Sequence, residues 1–191
     1  MKLFSILSLA ALLVLNSAFI GDTVVKVDAS KSKVTWLAKK VTGQHTGVIK
    51  VKSGNLKMNK GALSGGSFEI DMNSIECTDL QGEYAGKLVG HLKSDDFFSS
   101  SRFPVAKLDI TKVGRSSAAN TYLVDANLNI KGISQPISFE AVVNGTMATA
   151  KIMVDRTQFD IKYGSGSFFD NLGDKAIDNE FTLDVQLALA R

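Results

Sequence analysis

Few residues in this sequence could carry chemistry, and they stand far apart. The chain has two histidines, His45 and His91, and one cysteine, Cys77. A zinc site usually contains at least one pair of such ligands separated by about two to four residues. No pair of that kind occurs among these three residues. The sequence therefore predicts no metal site, and we expect Cys77 to act as a small buried apolar side chain.

Catalytic arrangements are also poorly represented. His91 and Asp95 could form an acid–base pair, but a histidine that hydrogen bonds within its own segment explains the spacing more simply. Asp95 and Asp96 are adjacent, so they cannot flank a glycosidic bond from opposite sides. No G-x-S-x-G nucleophile motif follows a predicted strand, and Gly164–Ser167 lacks the lysine of a phosphate-binding loop. These patterns predict a protein that is not an enzyme.

Composition and charge indicate a folded domain and exclude one class of partner. Apolar residues make up 45% of the chain and charged residues 21%, which is typical of one folded domain. The net charge is +3, and basic residues such as Lys50 and Lys52 are interspersed with apolar ones. A nucleic-acid-binding surface requires a basic cluster. We therefore expect no nucleic-acid partner.

The N-terminus has the pattern of a secretory signal peptide. Lys2 precedes an almost unbroken apolar run from Leu3 to Leu15, and small residues follow up to Ala18. The run is shorter than the roughly 20 residues of a comfortable membrane span, which favours a cleaved signal over an anchor. We predict a signal peptide over 1–18, a folded domain over 22–191, no stable membrane span after cleavage, and a periplasmic or secreted location.

Alternation of apolar and polar residues dominates the remaining sequence. Phe68, Ile70 and Met72 share one face of a predicted strand, with polar residues between them. The same pattern predicts strands in the segments 23–27, 34–38, 45–51, 106–112, 122–131, 137–143, 148–154, 159–163 and 181–189. A sheet with so many strands would have aggregation-prone edges, which closure into a barrel removes. We expect an all-β fold, an antiparallel barrel of about eight strands.

Two turns and one helical segment complete the predicted elements. Asn144-Gly145 is the strongest hairpin signal and indicates a type I′ turn, and Lys131-Gly132 indicates another turn. Between Asp79 and Phe98, leucines and a tyrosine recur at helical spacing, with Thr78 or Asp79 as the candidate cap. This spacing predicts one or two short helical turns.

The inward faces of the predicted strands are bulky and apolar. Three phenylalanines in the loop after the helical segment must also find a dry environment, either as a plug at one barrel end or as the mouth of a pocket. Alternation does not distinguish side chains that fill a barrel from side chains that line a cavity. The candidate lining residues are Trp36, Phe68, Ile70, Leu88, Phe97, Phe98, Phe103, Leu108, Ile110, Leu128, Ile130, Phe139, Phe159 and Phe181, with His45 and His91 as polar candidates at the mouth.

Several blocks of the sequence resemble the YceI-like family of exported, lipocalin-like proteins. HLKSDDFF at 91–98, followed by FPVA, is the most specific of them. The others are TGQHTG at 42–47, GSFEIDMNSI at 66–75, LNIKG at 128–132 with PISF after it, and RTQFDIKYG at 156–164. Together the blocks span nearly the whole chain after the predicted signal peptide.

The resemblance implies an eight-stranded lipocalin-like barrel with a short helical segment and an elongated apolar cavity. Family members bind polyisoprenoid chains, so it also implies binding, sequestration or transport of a polyisoprenoid or similar amphiphilic lipid, without catalysis. A polyisoprenoid or quinone-like lipid is then the expected bound molecule, and no other cofactor is expected. Two alternatives stay open: an enzyme for a small apolar substrate in the same cavity, and a ligandless barrel with a stress-related interaction role. The oligomeric state is not fixed, and a dimer is compatible with the sequence.

Overall fold

The computed structural model describes residues 21–190, so the predicted signal peptide over 1–18 lies outside the described residues. Within them, antiparallel strands follow one another in sequence order around a closed barrel, and β8 pairs with β1 to complete it. This confirms the predicted all-β, eight-stranded barrel. The strands are β1 Thr23–Lys40, β2 Gly43–Asn59, β3 Ala62–Cys77, β4 Val105–Arg115, β5 Thr121–Ile130, β6 Ile133–Asn144, β7 Met147–Asp155 and β8 Ile177–Leu189.

The predicted helical segment is a single helix, α1, over Gly82–Lys93 between β3 and β4. Its N-terminal cap is Gln81, which donates and accepts no side-chain capping bond, so the proposed caps Thr78 and Asp79 were wrong. The Asp79 carboxylate instead accepts a hydrogen bond from the Thr46 amide at 3.0 Å. No helix in the described residues has the length and hydropathy needed to cross a membrane.

Two strand predictions were wrong. The segments 23–27 and 34–38 belong to one long strand, β1. The segment 159–163 is not a strand, because the chain forms a 3₁₀ turn over Arg156–Phe159 and then places Asp160 in the left-handed region with φ of 57°. Phe159 and Ile161 are nonetheless both buried on the same side of the chain, against the cluster around Trp36. The sequence thus correctly indicated burial of Phe159 and Ile161, but the backbone there forms a turn and not a strand.

The hairpin turns follow the positions of residues with positive φ. Lys131 and Gly132 both have positive φ, as the predicted turn requires. In the next hairpin Asn144 pairs with Met147, so the two turn residues are Gly145 and Thr146. Positive φ at Gly145 alone fits a type II′ turn, and the predicted type I′ turn at Asn144-Gly145 was wrong by one residue.

The core consists of two clusters stacked along the barrel axis. One lies near the short hairpins and contains Leu56, Leu63, Tyr122 and Leu187; we call this the hairpin end. The other lies where α1 and the long connections meet, which we call the helix end. Its buried members include Trp36, Met72, Ile75, Phe97, Phe159 and Ile161.

Gly47 is required for the packing of Trp36. The two residues face each other across β1 and β2, and the indole Nε1 donates a hydrogen bond to the Glu76 carbonyl oxygen at 3.2 Å. A Cβ on Gly47 would lie 1.9 Å from that oxygen and 2.5 Å from Cζ2 of Trp36. Because the oxygen belongs to the backbone, it cannot rotate away.

We predict that Gly47→Ala lowers the free energy of unfolding by about 3 kcal/mol or more, at the upper end of the cost of overpacking. Gly86→Ala is the matched control, since no atom lies within 4 Å of a Cβ at this helical position. It should raise stability by up to about 1 kcal/mol through helix propensity. Urea denaturation measures both, and equal stability of the two variants would contradict the proposed clash.

Candidate functional site: an apolar cavity in the barrel

A continuous cavity of about 190 Å³ runs inside the barrel. Its wall extends from Leu63 and Leu187 near the hairpin end to Phe97 and Arg156 at the helix end, and every strand contributes to it. A single water molecule needs only about 10–15 Å³ of such space, so the cavity is large on this scale. Since the wall is almost entirely apolar, water inside it would find few hydrogen-bonding partners.

The cavity exists because side chains in the middle of the strands do not fill the space across the barrel. Ile70, Leu108 and Leu183 line the cavity, yet each is only partly buried. Val124, nearer the hairpin end, lines the cavity as well, although it is almost completely buried. The barrel interior is therefore hollow in its middle, which decides the question that alternation had left open.

Most of the sequence-predicted lining residues lie in the cavity wall. They are Trp36, Phe68, Ile70, Phe97, Phe98, Leu108, Ile110, Leu128, Ile130, Phe139 and Phe181. Phe97 and Phe98 form part of the wall at the helix end. Which of these side chains contact a ligand stays a prediction.

Three of the predicted lining residues lie elsewhere. Leu88 packs from α1 against the helix-end cluster. Phe103 lies next to Gly132, with the Arg102 guanidinium carbon 5.7 Å from its ring centroid. Phe159 is 1% exposed and packs within the helix-end cluster without reaching the cavity. All three residues lie outside the strands, where alternation does not indicate the direction of a side chain.

His45 lies at the rim of the helix end and does not line the cavity. Its Nδ1 is 2.8 Å from the Asp79 carboxylate. Although burial opposes ionisation, the hydrogen bonds from Thr46 and His45 lower the pKa of Asp79 to about 2. Cys77 donates to the same carboxylate, and burial together with this hydrogen bond raises the pKa of its thiol. Cys77 is therefore a poor nucleophile at neutral pH.

His91 belongs to an aromatic cluster that covers the helix end. Its ring packs edge-on against Phe97 and Tyr163, with centroid distances of 5.0 Å and 4.5 Å. Its nearest carboxylate is Asp96, 3.6 Å from Nε2, and not Asp95 as the sequence spacing had indicated. Asp95 instead accepts hydrogen bonds from Ser99 and Arg102. His91 contributes to the cover over Phe97 and does not line the cavity.

Arg156 is the charged residue of the cavity wall that the sequence analysis did not include among its candidates. It is 3% exposed and lines the helix end of the cavity. The guanidinium donates three hydrogen bonds to backbone carbonyls, from Nη1 to Ile161 at 2.7 Å and from Nε and Nη2 to Asp178 and Ile177 at 3.0 Å. Burial lowers its pKa, and Asp155 and Asp178 oppose this shift. A signal was available in the sequence, because Arg156 continues the inward series of Ile152 and Val154.

Arg156 thus ties the 3₁₀ turn to the first residues of β8 and closes the barrel wall at this end. Among the described residues, no carboxylate lies within ion-pair distance of it. Its charge is therefore stabilised by carbonyl dipoles at contact distance and by the more distant carboxylates of Asp155 and Asp178. The same part of the chain contains no group of three or more His, Cys, Asp or Glu side chains placed to hold a metal ion.

We predict that Arg156→Met destabilises the protein by at least about 3 kcal/mol, because each partly buried carbonyl that loses its donor costs about 1–3 kcal/mol. Arg102→Met is the control, since that guanidinium is largely exposed and bonds only side chains in its own loop. Its loss should cost less than about 1 kcal/mol. Guanidinium denaturation compares the two, and equally small losses would contradict the assigned role of Arg156.

Comparison with solved structures identifies the same barrel in several proteins. BcnA of Burkholderia cenocepacia superimposes with a TM-score of 0.69 at 20% identity, over 86% of this chain and 99% of that one. A polyisoprenoid binding domain from Saccharophagus degradans, implicated in plant cell wall breakdown, gives 0.62 at 16% identity, over 86% and 97%. The YCEI protein of Campylobacter jejuni gives 0.55 at 13% identity, over 100% and 99%. At these identities the likeness establishes a shared fold.

Sequence comparison gives the family. A curated relative, the UPF0312 protein of Shewanella denitrificans, is 25% identical over 88 residues, which cover 46% of this chain and 44% of that protein. The chain thus matches less than half the length of this relative. The family model described as the YceI-like domain matches residues 25–189, which include all of the barrel except the first two residues of β1. The chain therefore belongs to the YceI-like family.

Proposed function

We propose that this protein binds the apolar chain of a polyisoprenoid or similar amphiphilic lipid inside the barrel, and sequesters or carries it without catalysing a reaction. The observation that carries the proposal is the continuous cavity of about 190 Å³ with its apolar wall. Such a wall binds hydrocarbon because hydrocarbon loses no hydrogen bonds on entering it. The polyisoprenoid binding domain of Saccharophagus degradans, which has the same fold, supports the choice of ligand.

The energetics favour a long chain over a small apolar molecule. Each buried methylene group contributes about 0.8 kcal/mol, so ten of them contribute about 8 kcal/mol. Association itself costs about 4–15 kcal/mol in lost freedom of motion. A ligand must therefore bury clearly more than about ten carbons before it binds tightly. The length of the cavity wall, from Leu63 to Phe97, suits an extended chain.

Catalysis finds little support in the cavity wall. Among its described lining residues there is no histidine, serine, cysteine or lysine. The polar side chains that do line it are Thr149, Arg156, Asp178 and Glu180. Arg156 donates to backbone carbonyls, while the other three residues are exposed to solvent. This arrangement positions no nucleophile next to a base, as covalent catalysis would require.

The proposed location is the periplasm or the extracellular space. It rests on the predicted signal peptide over 1–18. A protein there that shields an apolar chain from water would allow a membrane lipid to cross an aqueous compartment.

The cavity also argues against a barrel without a ligand, since an unfilled apolar space loses packing contacts.

We predict that the full chain, purified from a bacterial host, retains close to one lipid molecule per protein, detected by mass spectrometry of an organic extract. Ala150→Phe should reduce this occupancy severalfold, because Ala150 lines the cavity and a larger side chain fills it. Met153→Phe is the matched control on the same strand, since Met153 is 64% exposed on the outer face. It should retain the lipid.

The same variants are then titrated with a fluorescent apolar probe, and their unfolding midpoints are measured to confirm that both fold. Absence of both lipid and probe binding in the wild-type protein would refute the proposed function. Wild-type binding by a folded Ala150→Phe variant would place the ligand outside the cavity.

A further inference from the structure

The barrel wall is open between β1 and β2. These strands pair from Thr23 to Lys26 of β1 and again from Val34 onward, whereas Val27–Lys33 has no partner on β2. The register of β1 against β8 also shifts within this segment, and a hydrogen bond from the Ser32 hydroxyl to the Asp28 carbonyl closes the irregular stretch. The edge of β2 that would face it therefore borders an opening in the wall.

A groove of about 600 Å³ occupies this opening; we call it the side groove. Its apolar surface includes Val24, Val27 and Phe68. Its charged rim includes Lys52, Glu69 and Lys107. An apolar surface beside a charged rim matches the junction between the chain and the head group of an amphiphile.

Phe68 separates the side groove from the barrel cavity, because it lines both. Its ring lies over Gly54, so closely that a Cβ on Gly54 would be 2.5 Å from Cδ1 of the ring. Gly54, which pairs with Phe68 across β2 and β3, has no side chain, and the ring of Phe68 occupies the space that a side chain there would fill. Rotation of this one side chain would connect the groove with the cavity.

The charges of the rim favour an anion. Glu69 lies between two ammonium groups, 3.1 Å from Lys107 and 3.6 Å from Lys52. Lys26 and Asp109 also line the groove, so three lysines face two carboxylates. The apolar cavity itself would exclude a charged head group, which must stay in contact with water or with opposite charge.

We propose that the side groove holds the negatively charged head group, a phosphate or carboxylate, of the amphiphile whose chain occupies the barrel cavity, and that Phe68 moves aside to admit the chain. This inference rests on the proposed function of the cavity. It adds the charge of the ligand, the position of its polar end and the route by which it enters.

The first test compares two ligands with the same isoprenoid chain, farnesyl phosphate and farnesol, by isothermal titration calorimetry. Wild-type protein should bind the phosphate about tenfold more tightly, and the double variant Lys52→Gln/Lys107→Gln should lose this preference. Glu69→Gln should increase it. The control Lys112→Gln/Lys151→Gln removes two lysines that do not line the groove and should bind as the wild type does.

Equal affinity of the wild-type protein for the two ligands, or an equal loss for both in the double variant, would overturn the head-group assignment. Binding of neither ligand would count against the proposed function of the cavity itself, so the two failures are distinguishable.

The second test measures the association rate of farnesyl phosphate by stopped-flow fluorescence. Phe68→Ala should raise the association rate constant about tenfold, because the ring no longer blocks entry. Leu108→Ala is the control, since Leu108 pairs with Phe68 and lines the cavity but not the groove. It should weaken binding through faster dissociation alone.

Phe68→Leu serves as a milder variant should Phe68→Ala unfold, and it is expected to raise the association rate by a smaller factor. Association rates that match between the Phe68 variants and Leu108→Ala would show that the chain enters elsewhere.

Discussion

Closure of the strand ladder is the constraint on which the rest of the structure depends. Pairing of β8 with β1 removes both sheet edges and separates an inner face from water around the whole circumference. Once the inner face is closed off, a polar side chain there is costly unless it is hydrogen-bonded, and most of the lining side chains are apolar. A barrel of about eight strands is wide enough that such side chains need not meet in the middle. The cavity is thus a consequence of strand number together with side-chain size.

The two ends of the barrel are closed in different ways. At the hairpin end, turns are short, and buried residues such as Tyr122 and Leu189 belong to the packed cluster. At the helix end, long connections cross the opening, and Phe97, His91 and Tyr163 form an aromatic cover. Arg156 supplies the donors that the irregular backbone there lacks, which explains a buried charge beside an apolar cavity.

The interrupted pairing between β1 and β2 gives the closed barrel one opening in its wall. A fully paired wall would enclose a chain without admitting it, whereas the unpaired stretch of β1 leaves one aromatic ring between the interior and the surface. The lysines and carboxylates around that ring lie on the outer face, as alternation along β2, β3 and β4 requires. The apolar residues of the cavity and the charged residues of the side groove thus lie on opposite faces of the same strands.

Sequence alternation determined the barrel and most of its inner wall, because side-chain direction within a strand depends only on parity. Parity correctly placed Phe68, Ile70 and Leu128 on the inner face of the barrel. It also indicated an inward Arg156, although the sequence analysis did not use that indication. Parity failed at Phe159, because the expected strand there is a turn. It does not apply to Leu88 and Phe103, which lie outside strands. Only the tertiary structure decided that the centre is hollow and that β1 leaves β2. Both depend on distances between residues remote in sequence, and alternation along one strand carries no information about the space left between strands.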